Sequence, residues 1–85
     1  MDQSKLTKQR VVLAAFLQDA RQKRGISPEQ VAQRLEVTVD VVERWESGDR
    51  LIDVVELSAY CEAVGLPVTE CVAFLQDTSE DKVSE

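Results

Sequence analysis

Between Ser27 and Gly48 the chain reads SPEQVAQRLEVTVDVVERWESG, and this stretch carries two complete helix-start signals with almost nothing between them. Ser27, Pro28 and Gln30 supply a capping hydroxyl, a first-turn proline and a reciprocal side-chain amide in the right order. Thr38 opens a second helix in the same way. Ahead of each cap stands an apolar residue with a partner five positions on, Ile26 with Val31 and Val37 with Val42, the spacing of a hydrophobic staple. Only about two residues around Glu36 separate Leu35 from Thr38. That is too short for two helices to lie antiparallel side by side, so they must cross steeply, and small Ala32 allows the close approach.

Around this pair the rest of the chain reads as helix. A first helix is predicted from Thr7, with Val12, Leu13, Phe16, Leu17 and Ala20 inward, ending where Gly25 takes a left-handed cap. Arg21, Lys23 and Arg24 in its last turn suit the helix dipole. Asp53 with Glu56 forms a capping box flanked by Ile52 and Leu57, starting a fourth helix whose inner stripe is Leu57, Tyr60, Cys61 and Val64 and which stops at Gly65. Pro67 permits a fifth helix over about Val68 to Gln76, with Val72, Leu75 and Phe74 as its apolar residues. No alternating run suggests a sheet, so the fold class is all-α, a five-helix bundle. Residues 1–6 read as a flexible amino-terminal arm, 7–77 as the domain, and 78–85, DTSEDKVSE from Asp77 onward, as a disordered acidic tail.

Length and composition narrow the function. Eighty-five residues suffice for one small core. No run of about eighteen apolar residues and no signal-peptide pattern is present, which predicts a cytoplasmic protein without membrane attachment. The chain has two cysteines and no histidine, so Cys61 and Cys71 read as reduced core thiols rather than metal ligands, with a disulfide between adjacent helices as the lesser alternative. No nucleophile stands beside a base and no glycine-rich phosphate loop appears, so neither an enzyme nor a cofactor site is expected. The net charge of −6 is uneven. Residues 1–50 hold nine Lys and Arg against eight Asp and Glu, and residues 51–85 hold one against eight.

Taken together, FLQDARQKRGISPEQVAQRLEVTVDVVERWESGDRLIDVVELSAYCEAVGLPVTECV resembles the Xre-like helix-turn-helix family, the DNA-binding domains of phage repressors and Cro proteins. The marks of the likeness are Arg21 four residues before Gly25, the Ser27-x-x-Gln30 opening, small Ala32, and WESG closing the third helix. The resemblance implies a third helix in the major groove of a duplex, with Val39, Asp40, Glu43 and Arg44 toward base edges. It implies Arg24, Gln30 and Arg50 beside phosphates, and a structural ion pair between Arg21 and Glu46. Glu36 stands where the family usually has glycine, so either a left-handed backbone there costs on the order of 1 kcal/mol or the turn differs slightly from the family's.

Two partners fit this reading. One is double-stranded DNA with a two-fold operator, read by a sequence-specific regulator. The other is a protein: an acidic helix-turn-helix module that inhibits an activator, a repressor or a toxin through Val39, Asp40, Val41 and Glu43 on its third helix. A homodimer would use the fifth helix, where Phe74 is left over from a core served by Val72 and Leu75.

Overall fold

The computed structural model describes residues 3–78, arranged as five helices: α1 Gln3–Lys23, α2 Pro28–Leu35, α3 Val39–Ser47, α4 Val54–Val64 and α5 Val68–Thr78. Each inner boundary has a local cause. The Ser27 hydroxyl accepts from the Gln30 N–H at 3.1 Å while the Gln30 side-chain oxygen accepts from the Ser27 N–H at 2.8 Å. Asp53 and Glu56 exchange the same two bonds at 2.7 and 3.0 Å at the start of α4. The Thr38 hydroxyl accepts from Val41 N–H at 3.4 Å, a longer and weaker cap.

Helix α2 ends on Glu36, which sits in the left-handed region with φ 59° and ψ 44°. The Val37 N–H then closes back on the Ala32 carbonyl at 3.0 Å, which fixes the turn before Thr38 can start α3. A non-glycine residue held there carries the backbone cost expected from the sequence, and the tertiary contacts on either side hold it in place.

Leu17, Val31, Val42, Tyr60, Cys61 and Cys71 are the largest fully buried side chains, joined by Ala20, Ala32, Trp45, Val64 and Leu66. Helix α2 packs on α3 and α4, α1 packs on α3 and α5, and α4 meets α5. Trp45 contacts Tyr60 edge to face at 6.3 Å, tying α3 to α4 through the middle of the core.

Four placements differ from the sequence reading. The first helix begins at Gln3, so Gln3 to Leu6, read as arm, form its opening turn, and residues 1 and 2 lie outside the described residues. Val72 is 49% exposed, and the inward position on α5 belongs to Cys71. Phe74 is not left over, since its ring stacks on Phe16 at 4.3 Å. Helix α5 has apolar residues on most of its circumference, so its periodicity alone does not choose which face packs; Phe16 on α1 decides it. The proposed tail meets a helix that runs through Thr78, and residues 79–85 lie outside the described residues.

Candidate functional site

The site is the outer face of α2 and α3, and a buried polar network sets its position. Arg21, near the end of α1, grips Glu46, near the end of α3, with two parallel bonds: Nε to Oε2 at 2.7 Å and a terminal nitrogen to Oε1 at 2.9 Å. Its other terminal nitrogen donates to the Ile26 carbonyl at 2.8 Å, fixing the chain as it enters α2. The Tyr60 hydroxyl donates to Glu46 Oε2 at 2.5 Å and lies 3.1 Å from the Leu17 carbonyl, a second acceptor. Arg21 and Glu46 are each 6% exposed, so this is a fully enclosed ion pair with a third group satisfying the carboxylate.

The charges respond as the geometry requires. The bonds to Glu46 hold Arg21 firmly protonated, against the opposing effect of burial. Burial first, and the Glu46 carboxylate second, push the Tyr60 phenol far above its ordinary range, so it remains a donor. The sequence placed Tyr60 on the inner stripe of α4 without a polar role. A buried tyrosine needs an acceptor for its hydroxyl, which was the available signal, but the acceptor lies on another helix.

On this mount α3 buries Val42, Trp45 and Glu46 and exposes Asp40, Glu43 and Arg44. Val39 and Val41 are half-buried and pack against the core, so they offer edges rather than whole side chains to a partner. Asp40 and Arg44 stand one turn apart and pair, Oδ2 to Nε at 3.1 Å, with both side chains more than half exposed. Such a pair contributes little to stability, but it partly neutralises the arginine on this face.

The residues assigned to phosphate are spread along the rim. Gln30 spends its side-chain oxygen on the α2 capping box, which leaves its amide nitrogen to donate outward. Arg24 donates to the Ala20 carbonyl at 3.2 Å, capping α1, and its planar fork carries further donors. Arg50 is exposed beyond α3, its backbone N–H bonded to the Arg44 carbonyl at 3.1 Å. Arg34 is turned away to the Ala63 carbonyl at the end of α4.

Among the described residues no group of three or more His, Cys, Asp or Glu side chains could hold a metal ion, and no single helix is long and apolar enough to cross a membrane.

Comparison with known proteins agrees with this architecture. No curated protein sequence matches the chain significantly. Among solved structures, it is similar to an XRE-family like protein from Pseudomonas syringae pv. tomato str. DC3000, with a TM-score of 0.82 and 23% identity over 92% of this chain and 99% of that one. It is also similar to the clp gene regulator ClgR from C. glutamicum, with a TM-score of 0.75 and 20% identity over 85% of this chain and 95% of that one. At these identities the likeness is one of fold. The family model described as a helix-turn-helix domain matches residues 12–74, from the middle of α1 to the stacked ring of Phe74. With most of its length matched and all five helices in place, the chain belongs to the helix-turn-helix domain family.

Proposed function

We propose that this chain is a sequence-specific DNA-binding unit of a transcriptional regulator, with α3 lying in the major groove. The observation that carries the reading is the rigid mounting of α3. A short turn closed by the Val37 bond sets its angle to α2, and the enclosed Arg21–Glu46–Tyr60 network anchors its inner face. Its polar outer face is thereby presented as one unit, as base readout requires.

On that face Arg44 donates two bonds to guanine O6 and N7, and Asp40 or Glu43 accepts from a cytosine amine. The exposed edge of Val39 is left for a thymine methyl. Gln30, Arg24 and Arg50 approach phosphates. With so few cations the electrostatic share of binding is small, so affinity falls only gently with salt, by a slope of about −0.9 per phosphate contacted.

Selection of bound sequences from a random duplex pool at about 50 mM salt tests the reading. An enriched two-fold motif is expected. No enrichment from a folded, pure sample overturns it, and leaves the acidic face for a protein partner.

A further inference from the structure

The chain has two cysteines, and the fold brings them together. Cys61 lies toward the end of α4 and Cys71 near the start of α5, with their Sγ atoms 3.4 Å apart and both side chains sealed in the core. The short connection that places them is itself closed by hydrogen bonds. Gly65 takes the left-handed conformation with φ 75°, the Leu66 N–H bonds to the Cys61 carbonyl at 2.9 Å, and the Glu70 N–H bonds to the Pro67 carbonyl at 2.9 Å as α5 begins. Buried Leu66 pins this turn to the core.

Alanine or valine could fill a core position of this size, but neither could bond to its neighbour. A disulfide holds its sulfurs at about 2.05 Å, so the two must close by about 1.4 Å. Helix α5 can supply that movement. Val68 and Val72, on either side of Cys71 along it, are 38 and 49% exposed and are not wedged in the core.

We propose that Cys61 and Cys71 form a reversible modification site, oxidised by a small-molecule disulfide of the glutathione kind to a bond that ties α5 to α4. When α5 lifts from α4, Cys71 leaves the core with it, and its thiolate attacks one sulfur of the small disulfide. That S–S bond breaks, and the first small thiol departs with the proton that Cys71 gave up. As α5 returns, the Cys61 thiolate attacks the Cys71 sulfur, the protein S–S bond forms, and the second small thiol leaves with the Cys61 proton. Two protein thiols are thereby oxidised and one small disulfide is reduced to two thiols. Excess small thiol reverses both steps, so the bond follows the thiol–disulfide balance around the protein. Neither cysteine lies on α2 or α3, and the inference stands apart from the reading of α3.

The test equilibrates the full wild-type chain with mixtures of reduced and oxidised glutathione, in buffer and in unfolding urea, and counts the free thiols by alkylation and intact mass. If the fold holds the sulfurs ready to bond, the native chain forms the disulfide more readily than the unfolded one, by the same factor by which the bond stabilises the fold. For cysteines ten residues apart that factor is roughly a hundredfold. The expected result is an intramolecular disulfide that persists in the native chain at a glutathione balance roughly a hundredfold more reducing than the unfolded chain tolerates. Equal balances overturn the proposal, as does a main product that is a mixed disulfide with glutathione or a linked pair of chains. Both arms use the wild-type protein, so no variant has to fold. Hydrogen exchange reads the tether. The amides of α5 should exchange roughly tenfold more slowly once the bond has formed, and dithiothreitol should restore the faster rate. Exchange that is the same in the oxidised and reduced chains overturns the tie between α5 and α4.

Discussion

Asp40 Oδ2 lies 3.1 Å from Arg44 Nε across one turn of α3, so the cation that the outer face presents is shared with a carboxylate on the same helix. If the face reads DNA, Asp40→Lys frees Arg44 and removes a charge that phosphates repel. Non-specific affinity for duplex DNA should then rise, with a steeper salt dependence. Arg44→Ala should cost about 1 to 3 kcal/mol at one base pair and little elsewhere. A titration at two salt concentrations checks both. Weaker duplex binding by Asp40→Lys would count against DNA as the ligand of this face.

The enclosed network should dominate stability. Arg21→Ala leaves Glu46 buried without its cation, at a cost of about 3 to 5 kcal/mol. Tyr60→Phe keeps the ring packed against Trp45 and removes only the donor to Glu46, which should cost about 1.5 to 3 kcal/mol. Urea unfolding of the two variants beside the wild type measures this. Wild-type stability in Arg21→Ala would show that the pair contributes nothing.

The thiols make a prediction about alkaline pH. The Sγ atoms of Cys61 and Cys71 lie 3.4 Å apart, well beyond a disulfide bond, and both residues are buried. Burial pushes Cys61 up to about 12 from an ordinary 9.0 and raises Cys71 as well. A group harder to ionise folded than unfolded gives stability that is complete below the unfolded value and is lost as pH rises from there through the folded one. Stability should therefore decline between about pH 9 and pH 12. The Cys61→Ala, Cys71→Ala double variant should show less of that decline. An identical pH profile in the two proteins would refute the thiol contribution. Below pH 9 both thiols should react with iodoacetamide only as fast as the α4–α5 contact opens.

Glu36 offers a test of backbone strain. Its φ of 59° is favourable only for glycine, so Glu36→Gly relieves on the order of 1 kcal/mol, offset in part by the greater freedom of unfolded glycine. The expected outcome is a neutral or slightly raised melting temperature. Glu36→Val places a branched side chain in the same conformation and should destabilise by about 1 kcal/mol or more. A lower melting temperature for the glycine variant than for the valine one would refute the strain.

Local chemistry written in the sequence determined where the helices around the site start and stop. The Ser27–Gln30 and Asp53–Glu56 boxes, the Thr38 cap and the glycines at 25, 48 and 65 act within a few residues, so α2, α3 and α4 could be bounded without knowing the fold. Asp40, Glu43 and Arg44, which the family resemblance put toward a partner, are exposed because they lie on the side of α3 opposite buried Val42, Trp45 and Glu46. The reading of α1 began four residues late, at Thr7 rather than Gln3, because its polar first turn shows no apolar stripe to mark it. Tertiary structure alone decided what depends on residues far apart in the chain. Phe16 chose the packed face of α5, Glu46 gave the Tyr60 hydroxyl its acceptor, and the Ala63 carbonyl took up the Arg34 guanidinium. Each is a contact between helices that meet only when the core closes. Periodicity assigns a side to a helix, but the neighbouring helices determine which polar group or ring waits there.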